Sequence, residues 1–211
     1  MGRMIHEGSP SDAEEKYFIS IAFSAEAVRI AALTNIKMGN AKIYEWKKET
    51  RIIAACSWLD ELKKASKTDD FAIIRKITMD PNDKDQVCMT GKNHVRIWRN
   101  TNGILKPLPP ISKLDTKRDF TDHVWLDNVW LVCGTDKGDV YFIYESKQCV
   151  IQANAFGTVI ESVSCLFNYG KGLIIGGENG LISLWERKDL VKPGPSDPKD
   201  AIVFGKNLSK F

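Results

Sequence analysis

Three histidines, five cysteines and a short glycine run are the residues of this 211-residue chain whose types could support chemistry. Asp122-His123 sets an acid beside an imidazole, the pair that a hydrolytic triad uses to deprotonate a nucleophile. Neighbouring residues of a strand point to opposite faces, so this pair is not expected to converge on one reacting atom. His6 lies in a polar lead and His94 follows a hairpin turn. Gly170-Lys-Gly172, with Gly176 beyond it, has neither the dinucleotide fingerprint nor the phosphate-loop spacing. No helix start follows it to receive an anion. Cys56, Cys88, Cys133, Cys149 and Cys165 include no Cys-x-x-Cys pair, so zinc ligation is not expected. No catalytic, cofactor-binding or metal-ligating residue is assigned, and neither an enzyme activity nor a cofactor is expected.

The elements that must hold these residues are strands. Four times the chain repeats one strand-forming phrase: Gly39-Asn-Ala-Lys-Ile-Tyr-Glu45, Asn93-His-Val-Arg-Ile-Trp-Arg99, Gly138-Asp-Val-Tyr-Phe-Ile-Tyr144 and Gly180-Leu-Ile-Ser-Leu-Trp-Glu186. Gly39, Asn93, Gly138 and Gly180 open the phrases and suit the positive φ of a tight hairpin. Tyr44, Trp98, Ile143 and Trp185 close them as the apolar anchors. The copies recur at roughly 40–55 residues, the period of a propeller blade built from four strands. Trp130-Leu-Val-Cys133 and Leu173-Ile-Ile175 read as runs covered on both faces, whereas Val95-Arg-Ile-Trp98 alternates.

Residues 1–15 form a flexible lead, followed by blade 1 over 16–58 and a linker or short helix over 59–70. Blade 2 spans 71–109, a loop 110–119, blade 3 120–157, and blade 4 158–211 with a Pro-rich loop at 191–200. The outer strand of blade 4 is expected at Ala201–Phe204. Proline cannot donate to a ladder, so the loop cannot continue the sheet.

Composition excludes more than it names. An apolar fraction of 43% and a charged fraction of 27% are ordinary for a globular protein, and the net charge of +3 is spread along the chain. Lys47-Lys48 and Lys63-Lys64 read as solvated surface, and Trp46, Trp98, Trp125, Trp130 and Trp185 as packing between blades. Nucleic acid is therefore not an expected partner. The first ten residues lack the apolar region of a signal peptide, and no apolar run approaches the roughly 18 residues of a membrane span. Cys88, Cys133 and Cys165 stand within apolar runs, where a reduced thiol packs as a small hydrophobe in a cytosolic compartment.

The four phrases resemble the third strand of WD40 repeats, whose pattern runs Gly-Thr-Val-Arg-Leu-Trp-Asp. Trp185-Glu186, Trp98-Arg99 and Tyr44-Glu45 stand at the Trp-Asp place; Ile143 occupies it in blade 3, beside Tyr144. The family's Gly-His opening and its turn aspartate are absent, with Asn179 the nearest substitute. The resemblance implies an all-β, WD40-type β-propeller of about four degenerate blades, held by apolar packing and incomplete as a ring. A narrower likeness lies in Lys16–Ser24, Ile77–Gly91 and Trp125–Gly138. Gln86-Val-Cys-Met-Thr-Gly91 and Val132-Cys-Gly-Thr-Asp-Lys-Gly138 are its most specific pieces. These stretches are similar to axonemal WD-repeat proteins of the subfamily called cilia- and flagella-associated protein fifty-seven.

That resemblance implies a non-enzymatic scaffold of the ciliary or flagellar axoneme. Its partners would be inner dynein arm and regulatory complex components, with tubulin doublets beneath. A generic cytosolic WD40 adaptor in degradation, trafficking or RNA processing is the alternative, and a propeller hydrolase a third. Lys63, Lys64, Lys113, Lys117 and Arg118, on the two segments that depart most from a minimal repeat, are the candidate partner contacts. Missing blades would come from another segment or another chain, and four blades alone would expose strand edges.

Overall fold

The protein is described by a computed structural model over residues 17–34, 39–46, 51–58, 60, 73–126, 128–170, 172–187 and 204–210. Each repeated phrase sits on the third strand of a four-stranded antiparallel meander. Blade 1 comprises β1 (Phe18–Phe23), β2 (Arg29–Thr34), β3 (Asn40–Glu45) and β4 (Arg51–Ser57). Blade 2 comprises β5 (Ile73–Met79), β6 (Gln86–Lys92), β7 (His94–Thr101) and β8 (Ile104–Pro107). Blade 3 holds β9 (Phe120–Leu126), β10 (Trp130–Thr135), β11 (Asp139–Tyr144) and β12 (Gln148–Asn154). Blade 4 holds β13 (Val163–Asn168), β14 (Gly172–Gly177), β15 (Leu181–Arg187) and β16 (Phe204–Lys210).

Turn chemistry explains the hairpins. Asn93 and Gly138 take φ of 53° and 79° between the second and third strands, a conformation that costs most other side chains about 1–2 kcal/mol. The Gly138 N–H closes its turn on the Thr135 carbonyl at 3.1 Å, while Thr135 Oγ1 accepts from the Asp139 N–H at 3.1 Å.

Two compact units divide the chain: Met1–Met89 with Ile97–Leu108, and Thr90–Arg96 with Pro109–Phe211. In the first, Ala31, Leu33, Ala41 and Ile43 of blade 1 pack against Ile74, Ile77, Met89 and Trp98 of blade 2. In the second, Trp130, Val132, Val140 and Phe142 of blade 3 pack against Leu173, Ile175 and Trp185 of blade 4. The Trp185 ring stacks on Phe142, centroids 5.9 Å apart and 16° from parallel. Both seams have one polarity: a forward face of one blade meets the rear face of the next, with the third-strand tryptophan on the rear face. Each fully buried Leu- or Ile-sized side chain in such a seam contributes about 1.5–3 kcal/mol.

Several particulars differ from the sequence reading. Blades 1 and 2 share an eight-stranded sheet, because β4 meets β8 in parallel at Ala55 and Ile104. The described outer strand of blade 4 is Phe204–Lys210; of the expected strand Ala201–Phe204, residues 201–203 lie outside the described residues. An edge strand needs backbone pairing more than an apolar run, and β16 pairs with β15 from Leu181 through Arg187. Cys165 is exposed, although Cys88, Cys133 and Cys149 are buried. Trp46 is 38% exposed, just beyond the end of β3, and meets Phe23 edge-on at 6.0 Å. No helix among the described residues is long and apolar enough to cross a membrane.

Candidate functional site

The four repeat anchors Tyr44, Trp98, Ile143 and Trp185 are all buried, at 6%, 1%, 0% and 2% exposure. Gly39, Gly138 and Gly180 have φ of 56°, 79° and 72°, and Asn93 has 53°. Trp185 Nε1 donates to Ser183 Oγ at 2.8 Å, so the indole is satisfied within its own strand. Asn179 turns its amide to the Glu161 carboxylate at 3.1 Å. Its side chain therefore serves an exposed loop contact.

The acid–imidazole pair is buried. His123 is fully buried on β9, with Nδ1 2.6 Å from the hydroxyl of Thr90. Asp122 points elsewhere: one oxygen accepts from the Leu166 N–H of β13 at 2.6 Å, the other from the His123 N–H at 2.9 Å. Acid and ring thus brace neighbouring strands separately, as opposite faces of a strand require. Sequence reading identified both residues but not Thr90, whose hydroxyl lies 33 positions away in the chain.

A second polar cluster fills the β5–β6 turn. Asp83 accepts from Arg99 at 2.7 Å and from the Gln86 amide at 2.7 Å; Asp85 accepts from Arg29 at 2.7 Å. Burial raises the Asp80 carboxyl above the usual range, with the Asn82 N–H bond working against it. Here carboxylates are spent on turn hydrogen bonds and arginines.

The loop before β9 is pinned at several points. Ile111 is buried, the Ser112 N–H donates to the Lys147 carbonyl at 2.9 Å, and the Cys149 N–H donates to the Ser112 carbonyl at 2.8 Å. Asp119 bridges to Lys92, and the Asn93 N–H donates to the Arg118 carbonyl at 2.7 Å. Lys113, at φ 60°, and Lys117 are exposed, whereas Arg118 is half-buried beside Asp115 at 3.7 Å. Burial pushes the Tyr141 hydroxyl up, Asp139 adds to this, and the Arg118 guanidinium opposes it. Lys63 and Lys64, like the Pro-rich loop at 191–200, lie outside the described residues. A cavity of about 500 Å³ opens in the first unit between Cys56–Ser57 and Ile104–Pro107.

Solved structures place this geometry. The β-propeller domain of Cps50 (Swd1) from Myceliophteria thermophila superposes with a TM-score of 0.66 at 13% identity, over 92% of this chain and 58% of that one. The fold is an incomplete WD40-type β-propeller. This propeller spans just over half the length of the Swd1 domain that it matches. It also matches the computationally designed Ika4 protein with a TM-score of 0.59 at 13% identity, over 88% of its own length and 99% of the designed chain. No protein-family model matches it.

Proposed function

We propose that this propeller is a non-enzymatic protein-interaction scaffold acting in the ciliary or flagellar axoneme. One observation carries the scaffold reading. The side chains with catalytic potential, Thr90, Asp122 and His123, are buried and tied between strands. By contrast the 110–119 loop is fastened by Ile111, Ser112 and Asp119 while displaying Lys113 and Lys117. A loop held by a rigid sheet presents side chains to a partner with little ordering cost.

The axonemal placement is supported by the likeness of Gln86–Gly91 and Val132–Gly138 to axonemal WD-repeat proteins. Partners in this reading are inner dynein arm and regulatory complex components on doublet microtubules, met through acidic surfaces facing Lys113 and Lys117. The test is a tagged chain in ciliated cells, followed by crosslinking mass spectrometry on isolated axonemes. Axonemal label with crosslinks at Lys113 and Lys117, lost in Lys113→Glu/Lys117→Glu, is the expected result. Diffuse cytosolic or nuclear label would overturn the axonemal reading in favour of a general adaptor.

A further inference from the structure

The outer strands of blades 1 and 2, both in the first compact unit, are joined by a ladder that stops after one rung. Ala55 pairs with Ile104 in parallel, and the Ala55 N–H donates to the Gly103 carbonyl at 3.2 Å. In a parallel ladder the next rung would pair Ser57 with Lys106, with the Ser57 carbonyl accepting from the N–H of residue 107. Residue 107 is proline and has no N–H to give. β4 runs on to Ser57 and β8 to Pro107, with no second pair between them.

The cavity of about 500 Å³ opens where this ladder ends, lined by Cys56–Ser57, Asp60 and Ile104–Pro107. Its volume lies within the roughly 300–1,000 Å³ of ligand pockets. Backbone register settles which groups border it. The Leu108 N–H donates to the Ile97 carbonyl at 2.8 Å, and Lys106 pairs with Arg99, so residues 106 and 108 turn their peptide groups towards β7. Leu105 and Pro107 alternate with them and turn theirs towards β4; Ser57, two residues beyond Ala55, turns its own towards β8. The Ser57 carbonyl therefore borders the cavity with no donor on β8. Among the side chains, Leu105 is buried, Cys56 half-buried, and Ile104 and Lys106 exposed.

We infer that this cavity captures an extended peptide segment of a partner protein, which adds as a strand between the ends of β4 and β8. The backbone selects that occupant. A peptide N–H supplies the donor that Pro107 withholds from the Ser57 carbonyl, and the Pro107 carbonyl, turned to the same side, accepts from another. An extended strand is the shape that presents N–H and C=O groups to two walls at once, since each residue carries one of each. In strand addition these main-chain bonds give affinity and alternate side chains give specificity. Cys56 and Ile104 offer apolar contact, while Asp60 and Lys106 add one charge of each sign. The fitting segment alternates apolar residues and carries one acid and one base. This extends the scaffold reading to a second contact, separate from Lys113 and Lys117 and independent of the axonemal placement.

The probe is an acetylated, amidated peptide, Glu-Val-Thr-Val-Thr-Lys, added to the full chain. Iodoacetamide labelling read by mass spectrometry follows Cys56 in the cavity wall, with the exposed Cys165 of blade 4 as the internal reference. Peptide should slow labelling of Cys56 saturably and leave Cys165 unchanged. N-methylation of both valines removes donors while keeping the side chains, and should weaken protection about tenfold or more. Pro107→Ala restores the missing donor. The β4–β8 ladder should then close by a rung, seen as slow hydrogen exchange at the residue-107 amide, and peptide protection should fall about tenfold. No protection at millimolar peptide, equal slowing at Cys165, equal protection by the N-methylated peptide, or undiminished protection in Pro107→Ala would each overturn the inference. The N-methyl comparison uses the wild-type chain, so it decides the matter even where the variant misfolds. Axonemal label and crosslinks at Lys113 and Lys117 are read separately, so either proposal can fail without the other.

Discussion

The hydroxyl of Thr90 on β6 lies 2.6 Å from Nδ1 of His123 on β9, and both residues are fully buried. The imidazole that looked like half of a catalytic pair is a strut between strands of successive blades. Its acidic neighbour Asp122 is committed to the Leu166 N–H on β13.

Thr90→Val keeps the shape of the side chain and removes the hydroxyl. A buried nitrogen of His123 then loses this partner, which costs about 1–3 kcal/mol. In urea the unfolding midpoint should fall while the denaturant slope holds. An unchanged midpoint would show that the bond contributes nothing net.

Two glycines with similar backbones separate strain from clash. Gly138 has φ of 79°, and an added Cβ would lie 2.5 Å from the Glu161 carbonyl oxygen; Gly157 has φ of 70° with nothing within 4 Å. Gly157→Ala should cost about 1–2 kcal/mol for the left-handed backbone alone. Gly138→Ala should cost about 1–3 kcal/mol more, because backbone must move. Thermal melts of the two variants side by side decide it; equal losses would mean that the loop at Glu161 yields freely.

Acid should destabilise the second unit through His94. Burial, with Arg96 adding to it, pulls the imidazole from 6.5 down to about 3. Above pH 6.5 both folded and unfolded forms are neutral, and the residue adds no pH dependence. Below it the unfolded chain takes up a proton that the folded chain refuses until about pH 3, so stability falls as pH falls through that window. The slope approaches about 1.4 kcal/mol per pH unit. Urea titrations from pH 7 to acid should show His94→Gln flattening this slope; an unaltered slope would mean that the folded ring accepts the proton.

Local features were legible in the residues themselves. Asn93 and Gly138 mark hairpins because positive φ is a one-residue property, and the alternation in Val95-Arg-Ile-Trp98 marks a strand because side chains alternate every residue. The opposite faces of Asp122 and His123 follow from the same alternation. Cys165 and Trp46 were misjudged for the converse reason: neither an apolar run nor an aromatic side chain states whether a blade lies over it.

Sequence alone determined four blades, their turns, and which residues share a face. Tertiary structure alone decided that β4 joins β8, that Phe204–Lys210 pairs with β15, and that Thr90 holds His123. It also decided that Ile21 and Phe23 of blade 1 and Phe167 and Ile182 of blade 4 are exposed. The division is physical. Turns and alternation are fixed within a few bonds, whereas burial depends on surfaces brought together from distant parts of the chain.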